Sequence, residues 1–137
     1  MTHPSRPPGI TALSFFFLFG TVMSGLATVM LLMPGSVLEP LWRLNPHARD
    51  GFAAMGLRGV LLMAVVCVAC GMAALGLRRC KRWGYWMALS ILTINLAGDT
   101  ANAVIGHEWC TLMGLPIGGA MIVYLLTKRS AFPWRPD

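Results

Sequence analysis

Residues 10 to 33, "ITALSFFFLFGTVMSGLATVMLLM", run for 24 positions without one charged side chain. As a helix the run rises about 36 Å at ~1.5 Å per residue, enough to cross a hydrocarbon core of about 30 Å with some tilt. Arg6 precedes it, as in a secretory leader. The run is long for a cleaved apolar region, however, and the "MPGS" that follows is a poor small-residue cleavage site, so the expectation is a retained anchor.

Three further apolar segments follow. Residues 52 to 77 are interrupted once, by Arg58, and residues 83 to 105 once, by Asp99. Residues 111 to 127 are shorter and carry Pro116 with Gly114, Gly118 and Gly119. With 56% hydrophobic and 12% charged residues, a soluble domain of 137 residues could not hide this much apolar surface. The expected fold is all-α and polytopic. It has four transmembrane helices in an antiparallel bundle, forming one domain over residues 1–137.

Orientation follows from the cations. With the N-terminus inside, Arg6, Arg78, Arg79, Lys81, Arg82, Lys128, Arg129 and Arg135 fall on the cytoplasmic side, against Arg43 and Arg49 outside. Both termini are then cytoplasmic, in a multi-pass protein of the cell's inner (plasma) membrane. The formal net charge of +6 is mostly this bias. It implies attraction of anionic lipid headgroups to Arg78, Arg79, Lys81 and Arg82 rather than nucleic-acid binding. Trp83, Tyr85 and Trp86 mark the inner interface, and Trp42 and Trp109 the outer one. The outer loop, residues 34 to 51, holds "EPLWRL", whose Leu38, Leu41, Trp42 and Leu44 fit a short turn lying on the membrane surface.

The polar residues of the third segment carry the functional question. Asn95, Asp99 and Asn102 are spaced by four and three, so a helix presents them on one face. A lone carboxylate there costs roughly 3 kcal/mol on insertion scales. Arg58 is the only cation inside an apolar segment, and it lies six residues from Phe52 as Asp99 lies six from Ile105. Equal depth on adjacent antiparallel helices predicts an Arg58–Asp99 pair. Ser24 and Thr28 at similar depth would close a polar pocket, with His107 and Glu108 at its mouth. The competing reading is that Arg58 snorkels outward and Asp99 is protonated or hydrated near the headgroups.

Other signals are weaker. Cys67 and Cys70 have CxxC spacing but lie among Val, Ala, Gly and Met, which fits small packing residues better than a redox pair. His47, Asp50, His107, Glu108 and Cys110 would make a metal site only if the outer loops converged, so no metal and no cofactor is expected. Gly20, Ser24 and Thr28, and again Gly114 and Gly118, recur every four residues and let helix backbones approach; they read as bundle packing before an oligomer face.

The stretches "SVLEPLWRLNPHARDGFAAMG", "KRWGYWMAL", "GDTANA" and "GLPIGGAMIVYLL" resemble those of small four-helix bacterial inner-membrane proteins of uncharacterised function. The resemblance runs from Gly35 to Leu126 and implies four spans in a bacterial inner membrane. It implies no activity. Two functions remain open. One is a structural or accessory subunit of a membrane assembly, not an enzyme, held by the Arg58–Asp99 cluster and docking a membrane-protein partner. The other is a homo-oligomer that binds or transports a small molecule, an ion or a lipid headgroup.

Overall fold

The computed structural model describes residues 7–105 and 113–132, apart from the side chains of His47 and Asn102. All its regular elements are helical. They are α1 (Pro8–Leu32), a 3-10 turn (Glu39–Leu44), α2 (Pro46–Met55), α3 (Leu57–Arg78), α4 (Arg82–Ile105), α5 (Gly114–Thr127) and a closing 3-10 turn (Arg129–Ala131). Helices α1, α3 and α4, of 25, 22 and 24 residues, are long and apolar enough to cross a membrane; α5 is apolar and shorter. Large apolar side chains such as Phe19, Val65, Val68, Ile94 and Val123 are exposed, as lipid-facing positions would be.

The second apolar segment departs from expectation. Rather than one helix from residue 52 to 77, the chain breaks at Gly56, whose φ of 55° lies where only glycine is comfortable. Gly56 N–H caps the carbonyl of Ala53, ending α2, and its own carbonyl receives the N–H of Gly59, opening α3. A Cβ on Gly59 would lie 2.7 Å from the Phe52 carbonyl oxygen, so both glycines are needed for this corner. The expected outer loop is also more ordered than its prolines imply. Asn45 accepts a hydrogen bond from Ala48 N–H and Pro46 follows at the first helical position, which is how an N-terminus is built. The "EPLWRL" turn is present, with Glu39 paired to Arg49 at 2.7 Å.

The chain divides into two compact units, residues 18–71 and residues 1–17 with 72–137. In the first unit α1 and α3 run in opposite directions, and cysteines fit against glycines. A Cβ on Gly20 would stand 3.5 Å from Cys70 Sγ, and one on Gly25 3.4 Å from Cys67 Sγ. Cys67 Sγ–H donates to the Thr21 carbonyl at 3.3 Å.

In the second unit Ser14 Oγ, fully enclosed, donates to the Ala74 carbonyl at 3.1 Å and ties α1 to α3. Helices α3 and α4 meet at glycine on glycine: a Cβ on Gly76 would overlap Gly84, and the converse. Their turn is a Schellman motif. Lys81 N–H reaches back to the Gly76 carbonyl at 2.9 Å and Cys80 N–H to Leu77 at 3.1 Å, with Cys80 at φ 49° in the position glycine usually takes. Helix α5 lies antiparallel on α4, since Gly118 contacts Leu96 and Gly114 contacts Asp99. At the other end of this pair Phe132, after the closing 3-10 turn, stacks on Tyr85 with ring centres 5.2 Å apart.

Candidate functional site

The site begins with Asp99, in the second-last turn of α4 and half-buried. Its carboxylate is turned to the start of α5: a Cβ on Gly114 would lie 2.7 Å from Oδ2 and 3.5 Å from Cγ. Helix α5 has no side-chain cap of its own, because its N-cap residue is Met113. The first N–H groups of a helix lack intrahelical acceptors and carry the positive end of its dipole, so a carboxylate there is stabilised by about 0.3–2 kcal/mol. Glycine at 114 gives the carboxylate room to come close. The adjacent helix thus supplies what α5 lacks locally.

The other expected members of the polar cluster distribute differently. Ser24 is buried, but its hydroxyl donates back to the Gly20 carbonyl at 2.6 Å and lies 3.3 Å from that of Thr21. Thr28 does the same to Ser24 at 2.8 Å. Both hydroxyls are taken up by their own helix, the usual fate of Ser and Thr in apolar helices. Asn95 is exposed on α4, one turn before Asp99. The side chain of Asn102, and all of His107, Glu108 and Cys110, lie outside the described residues.

Arg58 stands exposed at the second position of α3. The break at Gly56 therefore removes the premise of matched depth, which took residues 52 to 77 as a single helix. Arg58 belongs to one compact unit and Asp99 to the other.

What sequence reasoning missed is the neighbour of the aspartate. Gly114 opens "GLPIGG", whose Gly114 and Gly118 read from the sequence as bundle packing. A glycine starting an apolar helix with Met113, rather than Ser, Thr, Asp or Asn, immediately before it was the available signal that a cap could come from elsewhere. Chemically the arrangement holds one carboxylate beside a helix start. Among the described residues no three His, Cys, Asp or Glu side chains gather as a metal site would need. Comparison with family models, with curated proteins and with solved structures finds no match for this chain.

Proposed function

We propose that the chain is a small multi-pass protein of a bacterial inner membrane that serves as a structural or accessory subunit of a membrane assembly. The observation that carries this reading is the use made of intramembrane polar groups. Asp99 meets the uncapped start of α5, Ser14 joins α1 to α3, and Ser24 and Thr28 bond their own helix. The three hydroxyls bond to backbone and the carboxylate lies against a helix start, and among the described residues these four groups do not gather around one space.

In this reading α5 is the fourth span, and the cation asymmetry places both termini in the cytoplasm. Arg58, on the first turn of α3, sits at the positive end of its helix dipole and favours an anionic partner there. A carboxylate of a docked membrane protein would be such a partner.

The test is membrane extraction followed by native mass in mild detergent. A protein that resists alkaline carbonate and leaves the bilayer with a second polypeptide in fixed proportion meets the expectation. Recovery in the soluble fraction overturns the membrane reading. A homo-oligomer carrying a bound small molecule overturns the accessory role in favour of binding or transport.

A further inference from the structure

A cleft of about 380 Å³ opens where α4 begins and α5 ends, lined by Arg82, Tyr85, Trp86, Arg129, Ser130 and Phe132. We infer that it is a binding site for the phosphate group of an anionic membrane lipid.

The lining has a division of labour. Arg82 comes from the first residue of α4 and Arg129 from the 3-10 turn after α5, so two guanidinium groups border one space from different elements. Guanidinium is planar, permanently charged and forked, which suits the paired oxygens of a phosphate better than an ammonium does. Ser130 adds a hydroxyl donor, and among the described lining residues none is acidic. The first turn of α4 contributes the positive end of its dipole to the same neighbourhood.

The position of Arg129 and Ser130 is held by structure. Phe132, only 5% exposed, is pinned on Tyr85, itself 2% exposed, and this contact folds the segment after α5 back toward α4. A segment kept in place by a buried aromatic pair presents its arginine at a set place relative to Arg82.

Three features favour a lipid headgroup over free phosphate. Three of the lining residues, Tyr85, Trp86 and Phe132, are aromatic. The cleft lies at the ends of two apolar helices, where a headgroup would be. On α5, the helix that ends at the cleft, Val123 and Leu126 are exposed apolar side chains for acyl chains to lie against. Arg78 differs, since its guanidinium lies 5.3 Å over the Phe15 ring. The basic turn is therefore divided between a packing cation and a cleft-lining one.

The inference rests on the membrane reading above, and its test separates the two. Protein extracted from membranes is reconstituted in vesicles of phosphatidylglycerol and phosphatidylcholine in equal parts, re-extracted in mild detergent, and weighed by native mass spectrometry. The expected result is retention of phosphatidylglycerol in preference to phosphatidylcholine. Arg82→Gln/Arg129→Gln should lower that retention about tenfold or more, as loss of charge-assisted hydrogen bonds does. Arg79→Gln/Lys81→Gln, with the same charge change outside the cleft, should leave it within about twofold.

Absence of a preference in the wild-type protein overturns the inference whether or not the variants fold. Equal losses in both double variants overturn it in favour of diffuse attraction. Displacement of the lipid by inorganic phosphate at comparable concentration assigns the cleft to free phosphate and overturns the lipid. Failure to enter membranes at all would instead strike the reading beneath it.

Discussion

Gly76 on α3 and Gly84 on α4 approach until no side chain fits between them, for a Cβ built on either overlaps the Cα of the other. The contact lets two helices joined by a tight turn lie backbone to backbone, and van der Waals packing of this kind drives helix association in lipid. Alanine at either position must push the helices apart. Gly84→Ala should cost about 1–3 kcal/mol. Gly119→Ala, where nothing lies within 4 Å, should be neutral or gain up to about 1 kcal/mol from helix propensity. Denaturation in mixed micelles, followed by circular dichroism, reads the difference.

Asp99→Asn keeps the shape and removes the charge at the start of α5. It should weaken that helix by about 0.3–2 kcal/mol, the range for a charge at a helix end. Hydrogen exchange should quicken in residues 114–127 while α1 keeps its protection. Gly114→Ala, which intrudes on the same carboxylate, should produce the same local pattern. Equal loosening of every helix would contradict the capping role.

Cys80 occupies a left-handed backbone position, with φ 49°, at the end of α3. Cys80→Gly should therefore stabilise the turn by about 1 kcal/mol. In a Cys110→Ser background, Cys80 should react with a maleimide well before Cys70, which is buried against α1. Mass spectrometry of the labelled protein over time gives the order.

Phe132→Ala removes the ring that stacks on Tyr85. Truncating a buried phenylalanine costs about 3–5 kcal/mol in a well-packed core, and this variant should fall at or somewhat below that range. Trypsin should then cleave after Arg129 faster than in the parent protein.

Glu39→Gln breaks the 2.7 Å pair with Arg49, whose side chains are 51% and 37% exposed for Arg49 and Glu39 respectively. At such exposure the loss should stay under about 1 kcal/mol and fade as salt is raised. Thermal melts at low and high ionic strength check both statements.

Hydropathy made much of this fold legible. The uncharged run from residue 10 to 33 became α1, Pro8–Leu32, and residues 83 to 105 became α4, Arg82–Ile105. Apolar composition specifies a helix in the absence of water, so such boundaries come through. The corner at Gly56 did not. Hydropathy is blind to a backbone angle, and a glycine among "AAMGLRG" looks the same whether it continues a helix or breaks it. The α2 start was overlooked although "NPHA" carries its cap and its proline. Of the candidate site, Asp99 was visible as an anomaly from its charge alone. Its neighbour at Gly114 was not, because that contact joins residues fifteen apart on two different helices and no pattern along one helix records it.

The turn that closes the third helix and opens the fourth has a consequence for biogenesis. Residues 72 to 92 find all their mutual contacts within a short stretch of chain: the Gly76–Gly84 crossing, the two back-bonded amides at Cys80 and Lys81, and a loop of only a few residues. Such a hairpin closes with little loss of chain entropy, before the distant contacts from Ser14, Phe15 and Phe132 are added. Such a pair of helices would form early, as the chain is made, as a ready-made unit. The segments before and after it would then assemble onto a template already formed.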